Sequence, residues 1–262
     1  MLPTTSLPAH YEPAPDALKG RVILVTGSGQ GLGRAAALAF ARHGAAVILH
    51  GRNIPKLEAI YDQIELEGLA QPAIMPLDFA KASQADLEGY AQAIQTTFGR
   101  LDGVFHGASH FVSPMPFELH DLDAWLIHAK VNYAVPAALT KACLPMLKRS
   151  LDSSVVFLTE THAITPSAYW GPFAVAKSAL AAVTAILADE SATTNLRVNL
   201  CLPGPVASPM RAQSHPGELA HALPAVDALS NAFVFLIGAD SKGLNGHLFE
   251  CQPAAYREDA ET

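Results

Sequence analysis

The most constraining stretch is Thr26-Gly27-Ser28-Gly29-Gln30-Gly31-Leu32-Gly33. The apolar run Arg21-Val22-Ile23-Leu24-Val25 precedes it, and an alanine-rich run from Arg34 to His43 follows. Strand, glycine turn and helix in this order form a dinucleotide-binding unit. Gly27 lacks the Cβ that would penalise a tight turn. Gly31 lets the backbone approach a pyrophosphate, and Gly33 lets the helix pack closely on the strand. Ser28, Gly29, Gln30 and Leu32 complete the loop. The N–H groups and positive dipole end of the helix then face the phosphates. A merely flexible glycine loop is the plainer alternative, and the flanking runs weigh against it.

From residue 21 onward, strand and helix patterns alternate. Strands are expected at 21–25, 46–50, 73–77, 101–106, 155–159, 196–201 and 247–250. Helices are expected at 55–67 (capped by Asn53), 83–98, 121–148 with bends at Pro136 and Pro145, 172–190 and 224–237. Residues 203–222 read as irregular and proline-rich. Alternating β and α elements imply an α/β fold, a single doubly wound Rossmann domain with a parallel sheet of about seven strands. Residues 1–18, with Pro3, Pro8, Pro13 and Pro15, read as an extended arm. Residues 19–253 form the domain, and 254–262 a tail.

Composition narrows the function classes. The net charge is −7 and there is no basic run, so neither nucleic acid nor an anionic membrane is expected as a partner. Cys143, Cys201 and Cys251 are far apart in sequence and lack a C-x-x-C spacing. They read as reduced, buried thiols of a cytoplasmic protein. No apolar run reads as a membrane span, the N-terminus does not read as a signal peptide, and no metal site is expected.

The spacing T-G-x-x-x-G-x-G, the element order and the positions of the later motifs resemble the short-chain dehydrogenases/reductases from residue 20 to about 253. The resemblance implies NADP or NAD as cofactor. At the end of the second strand, His50-Gly51-Arg52-Asn53 holds no acidic residue to select NAD. Arg52 suits a 2′-phosphate in charge and shape, which favours NADP(H); a solvated surface Arg is the alternative. Asp78 and Phe79 resemble the family's pair at the adenine, although Asp78 also reads as a turn residue before a helix. His106-Gly107-Ala108-Ser109 stands where the family has N-N-A-G or H-N-A-G, so Gly107 replaces an Asn and Ser109 a Gly. Asn132 matches the family Asn that kinks a long helix and holds a relay water. Pro203-Gly204-Pro205-Val206-Ala207-Ser208 resembles the loop that meets the nicotinamide carboxamide, with Ser208 keeping a hydroxyl. Residues 209–222 would then form a substrate lid.

The catalytic motif departs from the family pattern. In the family a Tyr-x-x-x-Lys pair shares one helix face, and a Ser precedes the Tyr by thirteen residues. Here Lys177 is present, but Phe173 stands in place of the Tyr and Glu160 in place of the Ser. Trp170-Gly171 resembles the W-G-A-Y of one bacterial branch and supports this register. Phe has no exchangeable proton. Tyr169, Glu160 or His162 could supply one, although His162 reads first as a surface or core residue. Two functions remain open: an NADP(H)-dependent oxidoreductase acting on a small carbonyl or alcohol with altered acid/base groups, or an NAD(P)-binding sensor or partner subunit without turnover. The resemblance also implies a homodimer or homotetramer through the helices at 121–148 and 172–190.

Overall fold

The computed structural model describes residues 2–252. Its strands are β1 (Thr4–Ser6), β2 (Val22–Thr26), β3 (Ala46–His50), β4 (Ala73–Ile74), β5 (Gly103–His106), β6 (Ser153–Leu158), β7 (Leu196–Leu202) and β8 (Leu248–Glu250). They form one sheet in the order β1-β8-β7-β6-β5-β2-β3-β4, with every pairing parallel. The helices are α1 (Gly31–Arg42), α2 (Ile54–Leu66), α3 (Gln84–Phe98), α4 (Leu122–Ala129), α5 (Val135–Arg149), α6 (Thr161–Ile164), α7 (Gly171–Glu190), α8 (Pro209–Ser214) and α9 (Ser230–Ile237).

All five residues of β2 are buried, because helices cover both faces of a parallel sheet. One face packs Phe40, Phe105, Phe233 and Leu49 together. The other packs Ile94, Leu139, Val155 and Leu180. The chain runs outward from β2 through β3 and β4, then returns to pair β5 on the other side of β2. A crevice opens beyond the carboxyl ends of the strands at such a reversal.

Three expectations need correction. Among the described residues the sheet has eight strands, where about seven were expected. The added strand, β1, lies in the segment read as an arm, because the open edge of β8 offers unpaired backbone groups. The rest of that segment is also docked: Tyr11 stacks edge-on against Phe235, its hydroxyl donates to Asp240 at 2.7 Å, and Leu18 is wholly buried. Pro253 and the tail at 254–262 lie outside the described residues.

Second, the long helix does not bend first at a proline. It is interrupted by a π turn over Lys130–Ala134, centred on Asn132. Pro136 falls in the first turn of α5, where its missing N–H costs little. Third, α7 is long and apolar enough to cross a membrane by length and composition, with a mean hydropathy of 1.6 over its most apolar stretch. It instead buries Ala176, Leu180, Thr184 and Ala188 within the domain, and such a core helix passes the same test.

Candidate active site

Thr26, at the end of β2, lies level with His50 on β3 and His106 on β5, so three strand ends meet at one point. The glycine loop leaves from there. Gly27 has φ +69°, and a Cβ on it would lie 2.7 Å from the Ala108 backbone. A Cβ on Gly33 would collide with the Gly27 carbonyl. Gly31 has φ +55°, and a Cβ there would meet only Pro209, at 3.9 Å. The loop is therefore closed toward the sheet and open toward the crevice. Among the described residues no side chain caps the first turn of α1, whose N–H groups suit an anion.

Gly27, Gly29, Gln30, Gly31, Leu32 and Gly33 line one wall of a cavity of about 430 Å³. Ser28 does not. It is fully buried, and both its N–H and its hydroxyl donate to the His50 carbonyl, at 3.0 and 3.2 Å. The role of Ser28 is to tie the loop to β3, which differs from the expected contact with a cofactor.

Arg52, Asn53 and Lys56 line one end of the same cavity. Asn53 accepts from the Lys56 N–H at 3.0 Å and starts α2, which brings the Lys56 ammonium onto Gln30. Sequence reasoning missed Lys56; its signal was the i+3 spacing from a helix cap. Asp78 and Phe79 line this end too, and Asp78 Oδ1 accepts from the Ala80 N–H at 3.1 Å. The buried His50 ring lies 4.3 Å from that of Phe79. Burial pushes the His50 pKa down to about 4, so it stands neutral near pH 7.

Gly107 and Ala108 line the cavity beneath the glycine loop. The Ala108 N–H donates to the Thr26 hydroxyl at 3.2 Å, so the loop after β5 is held without the family's Asn. Asn132 is buried and does not line the cavity. Its Oδ1 accepts from the Ser109 hydroxyl at 3.1 Å and the His110 N–H at 2.8 Å, and its Nδ2 donates to the His110 carbonyl at 2.9 Å. The π turn aims Asn132 at this segment, and Ser109, the second departure from the motif, supplies one of its partners.

Lys177, Phe173, Glu160, His162 and Trp170 form the opposite end of the cavity. Lys177 and Phe173 are four apart on α7 and share a face. Lys177 is buried, and its Nζ donates to the Leu158 carbonyl at 2.9 Å. Burial pushes its pKa down to about 8, against the opposing charge of Glu160. Phe173 is buried among Phe111, Trp170 and His128. Tyr169 has φ +73°, is 60% exposed and stands outside the cavity, so it does not take the place of the missing Tyr.

Glu160 Oε2 accepts from both the backbone N–H and the Nδ1 of His162, at 3.0 and 3.1 Å. The His162 ring stacks on Trp170, with centroids 3.7 Å apart and planes 13° apart. Its side chain is 13% exposed. His162 is thus a residue of the cavity wall, which corrects its first reading as a surface or core residue.

Pro203, Gly204, Val206 and Ser208 line the cavity's remaining wall. Gln252, from beyond β8, donates to the carbonyls of Pro203 and Pro205 at 2.8 and 2.6 Å and fixes that loop. Nothing local in the sequence signalled Gln252. Ser208 accepts from the Arg211 N–H at 3.2 Å and starts α8, so the stretch read as irregular contains a helix over the cavity. Cys201 and Cys251, fifty residues apart, meet with sulfurs 3.0 Å apart.

Residues 21–219 match the family model for the short chain dehydrogenases. The uncharacterized oxidoreductase YciK of Escherichia coli K12 is 36% identical over 244 residues, which cover 93% of this chain and 96% of that protein. A structure described as a short chain dehydrogenase from Pseudomonas syringae is 38% identical with a TM-score of 0.89, covering 92% of this chain and 98% of the other. Another, from Escherichia coli CFT073 in complex with NADPH, is 37% identical with a TM-score of 0.89, covering 92% and 100%. A third, from Shigella flexneri 2a in complex with NADP, is 35% identical with a TM-score of 0.88 and the same coverage. The matched residues span the glycine loop, the cavity and α7, and the chain belongs to the short-chain dehydrogenase family.

Proposed function

We propose that this chain is an NADP(H)-dependent oxidoreductase that interconverts a small carbonyl and its alcohol with acid/base groups other than the family's Ser and Tyr. The observation that carries this reading is one continuous cavity. The glycine loop, Arg52 and Lys56 stand at one end of it, and Lys177, Glu160 and His162 at the other. Gly31 leaves open space at the start of α1, and Arg52 and Lys56 line the same end of the cavity, so the residues fit the cofactor. When bound, NADPH supplies the hydride. Arg52 and Lys56 would hold its extra phosphate, Lys177 its nicotinamide ribose, and the loop at 203–208 its carboxamide. Trp170 and Phe173, backed by Phe111, form an aromatic wall that would exclude water from the reacting centre.

Incubation with NADPH and a panel of aldehydes, ketones and quinones tests this, followed by the loss of reduced-nicotinamide absorbance. Turnover supports the oxidoreductase. Quenching of Trp fluorescence by NADPH without turnover supports the second reading, a nucleotide-binding sensor or partner subunit. The aromatic packing of Phe173 at the usual Tyr position favours that alternative. The reading places the protein in the cytoplasm, in keeping with thiols that stay reduced, and as a homodimer or homotetramer.

A further inference from the structure

The geometry points to Cys201 and Cys251 as a paired modification site, reduced at rest and joined as a disulfide by a hydroperoxide, directly behind the loop that walls the cavity at 203–205. Cys201 lies in β7, and Cys251 follows the last residue of β8. The two strands are parallel, with Cys201 level with Phe249, so Cys251 stands two residues further along on the same face. Cys201, Phe249 and Cys251 pack in one cluster. The two sulfurs lie 3.0 Å apart, although fifty residues separate them in the chain. Both are free thiols. A disulfide holds its sulfurs at about 2.05 Å, so the pair has to close by about 1 Å.

The two thiols differ in access. Cys201 is wholly buried, and burial pushes its thiol well above the usual range. Cys251 is half-buried and meets the oxidant first. The hydroperoxide gives an oxygen to the Cys251 sulfur, which becomes a sulfenic acid. The O–O bond breaks, and the remainder leaves as an alcohol, or as water from hydrogen peroxide. The Cys201 sulfur then attacks the Cys251 sulfur. An S–S bond forms, the S–OH bond breaks, and the hydroxyl leaves as water with the Cys201 proton. The thiol pair loses two electrons, and the peroxide gains them. A buried thiol is a slow nucleophile toward dissolved partners. Contact with the sulfur it attacks offsets that handicap.

The position of the pair links the bond to the cavity. The Cys251 N–H donates to the Leu202 carbonyl at 3.0 Å. The next residue, Gln252, is buried and donates to the carbonyls of Pro203 and Pro205 at 2.8 and 2.6 Å. A Cβ on Gly204 would lie 3.0 Å from the Gln252 Nε2, so the loop has little room to slip past this side chain. Pro203, Gly204 and Pro205 line the cavity. A bond that draws Cys251 toward β7 moves Gln252 with it, and the two hydrogen bonds carry that movement into the cavity wall. The oxidised protein then binds NADPH more weakly than the reduced one.

The test treats the reduced full chain with hydrogen peroxide, blocks remaining thiols with iodoacetamide in urea, and digests with trypsin without reduction. Peptides 198–211 and 243–257 should appear joined, lighter than their sum by two hydrogens, and should separate in dithiothreitol. Cys143, whose thiol burial pushes up to about 12, is the internal control and should be recovered alkylated. In Cys201→Ala the oxidation should stop at a Cys251 sulfenic acid that dimedone traps. Calorimetric titration should show NADPH binding weakened at least about three-fold by oxidation, the scale of one impaired hydrogen bond. Dithiothreitol should restore it, and Cys251→Ser should bind NADPH equally before and after peroxide. Two thiols recovered alkylated, or Cys251 carried to a sulfinic acid with no cross-link, overturns the inference. So does a cross-linked protein whose NADPH affinity is unchanged.

Discussion

The ring of Phe173 stands edge-on to that of Phe111, with centroids 4.9 Å apart and planes at 75°. This aromatic contact occupies the position from which the family's Tyr would act. Phe173→Tyr adds one hydroxyl at the cavity wall. Alone, it should cost about 1 kcal/mol if that hydroxyl finds no partner. Combined with Glu160→Ser it restores the Ser/Tyr/Lys set, and reductase activity should rise at least about ten-fold, part of what a positioned acid supplies. Denaturation midpoints and steady-state rates of both variants check this.

Arg52 and Lys56 reach the cavity from the turn after β3 and the start of α2. NADP(H) should bind more tightly than NAD(H), and Arg52→Ala should erase most of the difference. A charge-assisted phosphate contact is worth about 1.5–3 kcal/mol, or roughly 10- to 150-fold in affinity. Calorimetric titration of the four nucleotides settles it, and equal affinities in the wild type would sink the assignment.

Glu160 places a carboxylate in the cavity wall, and its Oε1 is buried with no hydrogen-bond partner among the described residues. The oxidised nicotinamide ring is positive and the reduced ring neutral. A carboxylate at ~6 Å favours the positive ring by roughly 2–3 kcal/mol at an effective dielectric of 20. Lys177 opposes that field and reduces the preference to about 1 kcal/mol. The dissociation constant for NADP⁺ should thus be several-fold below that for NADPH, and Glu160→Ser should remove the difference. An unchanged ratio would place the carboxylate away from the ring.

His50 and His106 are buried, and burial pushes their pKa values down to about 4 and about 3. In the unfolded chain a His titrates near 6.5, so between these values the unfolded state binds more protons than the folded state. Stability should be fully present above about pH 6.5 and fall as pH drops toward 4, by about 1.4 kcal/mol per unit for each His that is charged only when unfolded. His106 bonds Thr140 through Nε2 at 2.8 Å and stacks on Phe157. His106→Asn should be less stable at neutral pH yet lose less stability on acidification. Urea midpoints at neutral and mildly acidic pH measure both effects.

Leu122 and Leu126 on α4 and Val175 and Ile186 on α7 are each more than half exposed, and Ala134 and Ala182 are exposed near them in sequence. If two copies meet through these helices, the apolar side chains lose water and the alanines permit close approach. Light scattering at micromolar concentration should give a dimer or tetramer, and Leu126→Asp with Ile186→Asp should dissociate it. A monomeric wild type refutes this arrangement.

The sequence by itself determined the frame. Glycine at 27, 31 and 33, between a buried strand and a helix, admits few conformations, and alternating β and α runs leave one kind of sheet. The same local reasoning located Arg52, Lys177, Phe173 and Glu160, because strand ends and a four-residue helical spacing are set by neighbours along the chain. Only the tertiary structure decided what depends on distant segments. β1 found its place because the edge of β8 was open. Ser28 turned to the His50 carbonyl and away from the cavity. Gln252 secured the Pro203–Pro205 loop from nearly fifty residues away. Asn132 met His110 because a π turn rotated it there. The stacking of His162 on Trp170, which brings an imidazole and a carboxylate to the site of the lost Tyr and Ser, depends on how the chain from β6 folds back onto the start of α7. Residue spacing encodes local geometry, whereas contacts of this kind depend on how the elements pack around the common core.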